Sequence, residues 1–273
     1  MAAFLDAPIT TIAFCWRLAR RDGVALGFTT HDRDLVIGGL TYQATPGMLP
    51  SAVRLGDGLD ASSMDVSGAL TSDAITERDL LAGRWDGAAV SLFTVDWEAP
   101  DGETVPLARG ELGAVSIEGD GFTAELKGPA AVFERPVSEL TSPECRAQFG
   151  DTRCRVDLAP HIRITLITAR VDEVTVDVAS AAATPNAYGY GRLRWMSGDN
   201  SGLTSAILRS AGNRLTLRET PPFAIVPGAM VEITAGCDRI FATCRDRFSN
   251  AGNFRGEPHL PGNDLLTRYP GAS

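Results

Sequence analysis

The sequence predicts a mainly β protein with minor helix, built as two antiparallel barrel-like domains of which the second is stapled by four cysteines. Three observations lead there. Short apolar runs recur with a period of two, the repeat of a half-buried strand, and turn dipeptides such as Asp22-Gly23, Gly38-Gly39 and Asp120-Gly121 fall between them. Four of the five cysteines sit in two places, Cys145 with Cys154 and Cys237 with Cys244. The charge also changes along the chain. Residues 1–138 carry 10 Arg/Lys against 20 Asp/Glu and residues 139–273 carry 15 against 14, giving −10 and +1, which sum to −9.

At 273 residues the chain is long enough for two cores. Residues 1–138 read as an N-terminal β domain. Residues 11–19 form a first strand or short amphipathic element, Asp22-Gly23 turns it into VALGFTT, and Gly38-Gly39 leads to the alternating Leu40, Tyr42 and Ala44, so that a meander is expected. The period then changes. Ser72 or Asp73 is placed to cap a short helix whose inner face is Ile75, Leu80 and Leu81 and whose end is Gly83. AAVSLFTVDW follows as a strand with Val90, Leu92 and Val95 inward, and two or three more strands run from 104 to 136, punctuated by Gly110, Gly113, Asp120-Gly121 and Gly128-Pro129. Pro136 and SELTSPE mark the boundary.

Residues 139–160 are a cysteine-bearing connector, 161–235 a second β-barrel domain and 236–273 a cysteine-containing tail. In the barrel segment a β-branched run breaks only at Val171-Asp172-Glu173, Leu193 and Trp195 alternate with arginines, and Asp199 to Gly202 is a turn. The last predicted strand faces Met230, Glu232 and Thr234 one way and Val231 and Ile233 the other, and delivers Cys237 directly after Gly236. The last stretch, from Asp246 onward and rich in Gly, Pro and Asn, is not expected to form regular structure by itself; Phe248, Phe254 and Tyr269 are its anchors.

The cysteine pairs are spaced C-x8-C and C-x6-C, with roughly 80 residues between them. One four-thiolate site is the economical reading, with two local disulfides and unligated core thiols as the alternatives. Arg146, Arg153, Arg155, Arg239, Arg245 and Arg247 crowd the pairs, as an anionic four-thiolate centre requires. Paired zinc ligands usually lie about two to four residues apart, so the wider spacing suits a bulkier centre, although neither common ferredoxin pattern is present. Cys15, in the apolar IAFCWRL, is expected to pack as a small hydrophobe.

Composition excludes several function classes. No apolar run reaches membrane-span length, and MAAFLDAPIT lacks the basic start and apolar core of a signal peptide, so synthesis in the cytoplasm is expected. An acidic N-terminal half opposes gripping nucleic acid but suits a surface that DNA passes without sticking. A cell-wall hydrolase or peptidase needs an open metal site or an activated nucleophile; His31, His161 and His259 are dispersed and neither HExxH nor GxSxG occurs. His31 beside Asp32 and Asp34 reads as turn chemistry. A redox-active iron–sulfur protein is a further class, without a second cluster set to support it.

The stretch CRAQFGDTRCRVDL and the tail GCDRIFATCRDRFSNAGNFRGEPHLPGND resemble the conserved tail proteins of long-tailed phages and gene transfer agents, over nearly the whole chain. That resemblance implies a non-enzymatic baseplate hub, or tail-tip, protein lying between the distal tail protein and the central fibre. It implies a homotrimer around a channel through which DNA passes without specific binding. Lambdoid tail-tip proteins similar to it carry an iron–sulfur cluster, so Cys145, Cys154, Cys237 and Cys244 would be ligands to such a cluster, 4Fe-4S in type, with zinc as the alternative. His259, in the matched tail, would be an outer donor or a partner contact.

Overall fold

The computed structural model describes residues 11–44, 49–50, 63–69, 75–118, 121–128 and 138–260. The chain forms two units, Met1–Val137 and Ser138–Ser273.

In the first unit the strands are β1 (Ile12–Ala19), β2 (Ala25–Thr29), β3 (Leu35–Ile37), β4 (Leu40–Gln43), β5 (Leu49–Pro50), β6 (Ser63–Ala69), β7 (Ala89–Asp96), β8 (Thr104–Glu118) and β9 (Gly121–Lys127), with helix α1 (Glu77–Leu81) before β7. They form one sheet in the order β3-β4-β2-β1-β7-β8-β9-β6-β5. The expected barrel is therefore corrected to an open mixed sheet among the described residues. The meander fails at one place: β3 and β4 pair through the Gly38-Gly39 turn, but β4 then lies parallel to β2, with Gly27 opposite Tyr42. That return leaves β3 as an edge.

Strand β1 is buried on both faces because it lies mid-sheet. Trp16 and Leu18 join Ile75, Leu80, Trp85, Val90 and Leu92 on one side. Ala13 and Cys15 join Leu35, Tyr42 and Val95 on the other. Val90 and Leu92 thus face one core and Val95, an odd number of residues on, faces the other by plain alternation; the β7–β8 register shift between Leu92 and Phe93 is taken up by an extra residue on β8. Helix α1 begins at Thr76, whose hydroxyl accepts from the Asp79 N–H at 3.1 Å. Ser72 and Asp73, expected as caps, lie outside the described residues. Leu81 is 73% exposed, so the inner face is Ile75 and Leu80 without it.

The second unit contains β10 (Ile162–Arg170), β11 (Thr175–Val178), β12 (Arg192–Trp195), β13 (Thr204–Ala211), β14 (Arg214–Leu217) and β15 (Met230–Thr234), closed into a barrel in the order β10-β11-β14-β13-β12-β15. Every pairing is antiparallel. Alternation fills the interior with Ile167, Val176, Leu193, Trp195, Ile207, Leu215, Val231 and Ile233, all buried. Each large apolar side chain contributes about 1.5–3 kcal/mol by leaving water. Buried Asn200, in the predicted turn, accepts from the Phe223 N–H at 3.1 Å and donates to its carbonyl at 2.9 Å. Beyond β15 the chain forms a helix, α2 (Phe241–Asp246), which the sequence reading did not single out. Asp238 organises its start, accepting from the Ile240 N–H at 3.0 Å and the Thr243 hydroxyl at 2.8 Å. Tyr269 lies outside the described residues.

Candidate functional site

Strand β15 ends where two backbones meet. A methyl group on Gly236 would lie 2.1 Å from the Gly191 nitrogen, and one on Gly191 would lie 2.1 Å from the Thr234 carbonyl oxygen. Glycine is required at both, and the close approach sets the position of Cys237. Helix α2 then turns Cys244 inward, buried.

The other pair is held by a loop around Asp151. Its carboxylate accepts from the N–H groups of Cys154 at 2.6 Å, Gln148 at 2.9 Å and Arg153 at 2.9 Å. These bonds, Cys154 first, hold the carboxyl below its ordinary range. Gly150, with φ +79°, makes the bend inside the loop. The two pairs are laced together by backbone. Cys145 N–H donates to the Arg239 carbonyl at 2.9 Å, and Arg255 N–H donates to the Cys145 sulfur at 3.4 Å.

Asn250 joins Cys154 to Cys244. Its side-chain amide donates to the Cys154 carbonyl at 2.7 Å and approaches the Cys154 sulfur at 3.7 Å. Its backbone N–H donates to the Cys244 carbonyl at 2.9 Å, and its own carbonyl accepts from the Cys244 thiol at 3.4 Å. Asn253 donates to Asn250 Oδ1 at 2.7 Å, which fixes the amide with its nitrogen toward sulfur.

All four predicted ligands, Cys145, Cys154, Cys237 and Cys244, line one cavity of about 320 Å³. They are free thiols, as is Cys15, which is fully buried in the sheet. Burial raises the Cys237 thiol, with Asp238, Cys145 and Cys154 adding to the shift. Burial first, then Cys237, Cys145 and Cys154, push Cys244 up to about 11. Among the described residues no three His, Cys, Asp or Glu side chains are arranged to hold a metal ion.

The surrounding charge differs from the predicted arginine crowd. Only Arg239 of the six lines the cavity, joined by Arg192, which the sequence reading did not single out; the lining contains no carboxylate. Arg146 pairs with Glu139 and Glu257, Arg153 with Glu139 and Arg245 with Asp246. Arg247 donates to the Gly236 carbonyl and lies over the Phe248 ring. The sequence reading also missed Thr234, whose buried hydroxyl has no partner, and Asn250, which carried a signal in the run SNAGN.

The histidines have separate surroundings. His31 stacks on Trp97 at 5.1 Å and lies 3.3 Å from Asp32, and its ring contacts the Arg33 backbone in a turn. His161 packs between Phe149 and Phe248, and His259 is exposed and does not line the cysteine cavity. Among the described residues no helix is long and apolar enough to cross a membrane.

Residues 1–157 match the family described as "Baseplate hub protein, N-terminal attachment domain", and residues 186–264 match "Phage conserved hypothetical protein BR0599". No curated protein matches the chain. Among solved structures, a chain of the "Virion of native gene transfer agent (GTA) particle" is similar at 38% identity and a TM-score of 0.85, over 99% of this chain and 95% of that one. A hub-family match over more than half of the residues, with a fold shared from end to end with a component of such a virion, means that the chain belongs to the baseplate hub family.

Proposed function

We propose that the protein is a structural hub in the tail of a phage or gene transfer agent, forming a homotrimeric ring between the distal tail protein and the central fibre around the DNA channel, with a 4Fe-4S cluster held by Cys145, Cys154, Cys237 and Cys244. The observation that carries the cluster is the single cavity of about 320 Å³ lined by all four thiols. Its donor set fits. A four-thiolate centre has a charge near about −2, and the lining offers Arg192 and Arg239 and no carboxylate. A lone zinc ion, bound at about 2.3 Å from each sulfur, is the alternative occupant of the same four thiols. Bound there with every position taken by cysteine, the group supplies a brace rather than an open catalytic site. The chain's own residues do the rest: Gly236 brings Cys237 in, Asp151 shapes the first loop, and Asn250 ties Cys154 to Cys244.

Membership of the hub family and the likeness to a gene transfer agent virion chain support a role in the assembled particle, with tail proteins as partners and no catalytic task. The test is an absorbance spectrum with iron, zinc and acid-labile sulfide analysis on protein purified without oxygen. The expected result is a broad band near about 400 nm, with iron and sulfide in equal amounts and both lost in Cys237→Ser. Colourless protein with one zinc ion would replace the cluster by a zinc staple. Folded protein with no metal would remove the four-cysteine centre.

A further inference from the structure

We infer that the Thr234 hydroxyl is a hydrogen-bond donor to the occupant of the cysteine cavity, a positioning group that finds its partner only when the cavity is filled. The inference rests on the reading that the four thiols hold a metal or cluster. Thr234 ends β15, two residues before the glycine that delivers Cys237, and it lines the cavity together with the four cysteines. It is 4% exposed, and its Oγ1 is buried with no hydrogen-bond partner. A buried hydroxyl left unpaired costs free energy, and valine would keep the β-branched shape of the strand without that cost. The groups nearby do not relieve it. Arg192, opposite Thr234 in β12, has donors only, and Asn250 Oδ1 accepts from Asn253. The lining contains no carboxylate, so it offers no charged acceptor, and thiolate or sulfide sulfur is the charged acceptor that a four-cysteine centre would bring. A donor to such sulfur stabilises added negative charge and raises the reduction potential.

The experiment compares wild type, Thr234→Val and Thr234→Ser as full-length proteins, each loaded and each stripped of metal. Loaded Thr234→Val is expected to lose its metal to a chelator about tenfold faster than wild type. If a cluster is present its midpoint potential falls, and Thr234→Ser returns both values toward wild type. In the stripped proteins Thr234→Val is expected to melt at or above the wild-type temperature, because the hydroxyl has nothing to lose there. Equal loss rates and, for a cluster, equal potentials in loaded wild type and Thr234→Val would overturn the inference while leaving the cysteine site intact. So would a Thr234→Val defect of the same size in stripped and loaded protein, which would assign the hydroxyl to the fold. Wild-type protein that takes up neither iron nor zinc would overturn the inference together with the reading beneath it.

Discussion

Glu257 is anchored twice to the segment that carries Cys145. Its carboxylate takes both Arg146 guanidinium nitrogens, at 2.7 and 2.9 Å, and the Ser142 N–H at 2.8 Å. Arg146 first, then the Ser142 amide, hold the carboxyl at about 2, against an ordinary 4.5. The folded state therefore binds this proton less readily than the unfolded chain. The contribution is complete above the ordinary glutamate range and is lost as pH falls from about 4.5 toward about 2. Both partners are partly exposed, so salt weakens the pair. An NMR titration of the Glu257 carboxyl should show its midpoint near about 2, and Arg146→Gln should move it up toward 4.5. A midpoint unchanged in that variant would show that the guanidinium is not the cause. At this scale the sequence named the four cysteines but misread the arginines. Clustering in sequence placed six of them near the thiols, yet local carboxylates such as Glu139, Asp246 and Glu257 take up three, a choice that only the fold decides.

Glycine pairs decide how the elements deliver the site. Gly191, leading into β12, and Gly236, just past β15, face each other so closely that neither tolerates a side chain. Gly236→Ala should lower stability by about 1–3 kcal/mol, the usual cost of overpacking, and displace Cys237 from the cavity. Thermal melting and metal content check this together; a variant that melts and binds metal as wild type does would show that the backbone has room. The barrel was legible because each strand alternates and consecutive strands pair through local turns, as β10 with β11 and β13 with β14 do. The first unit was legible in its hairpins, in the short helix α1 and in β7, but not in how its strands are ordered. Asp22-Gly23 and Gly38-Gly39 were read correctly, but the parallel addition of β4 to β2 is a choice between distant partners, set by packing Tyr42 into the core with Cys15 and Leu35. The helix that carries Cys244 has 6 residues, too few to show a helical period in the sequence, although Asp238 and Thr243 supply its start.

For the molecule as a whole, the uneven charge is the feature that bears on the proposed DNA channel. The N-terminal half, residues 1–138, carries −10, while the half with the cysteine cavity is close to neutral. Duplex DNA is a dense polyanion, and a wall that neutralised its phosphates would hold it; an acidic wall lets it slide. Glu98, Glu103 and Glu111 are exposed on the described part of this half. Changing all three to lysine adds two charges at each position and takes the half from −10 to −4. In assembled particles this variant should deliver DNA about tenfold more slowly at low salt, with recovery as added salt screens the new phosphate contacts. The thiol cavity serves as the internal control, since these carboxylates belong to the other unit and the absorbance and metal content should stay as in wild type. Slow delivery with an intact cysteine site would assign the acidic half to the channel. Unchanged delivery at low salt would mean that these carboxylates face solvent or a neighbouring tail protein instead, and the charge asymmetry would then be a property of assembly rather than of passage.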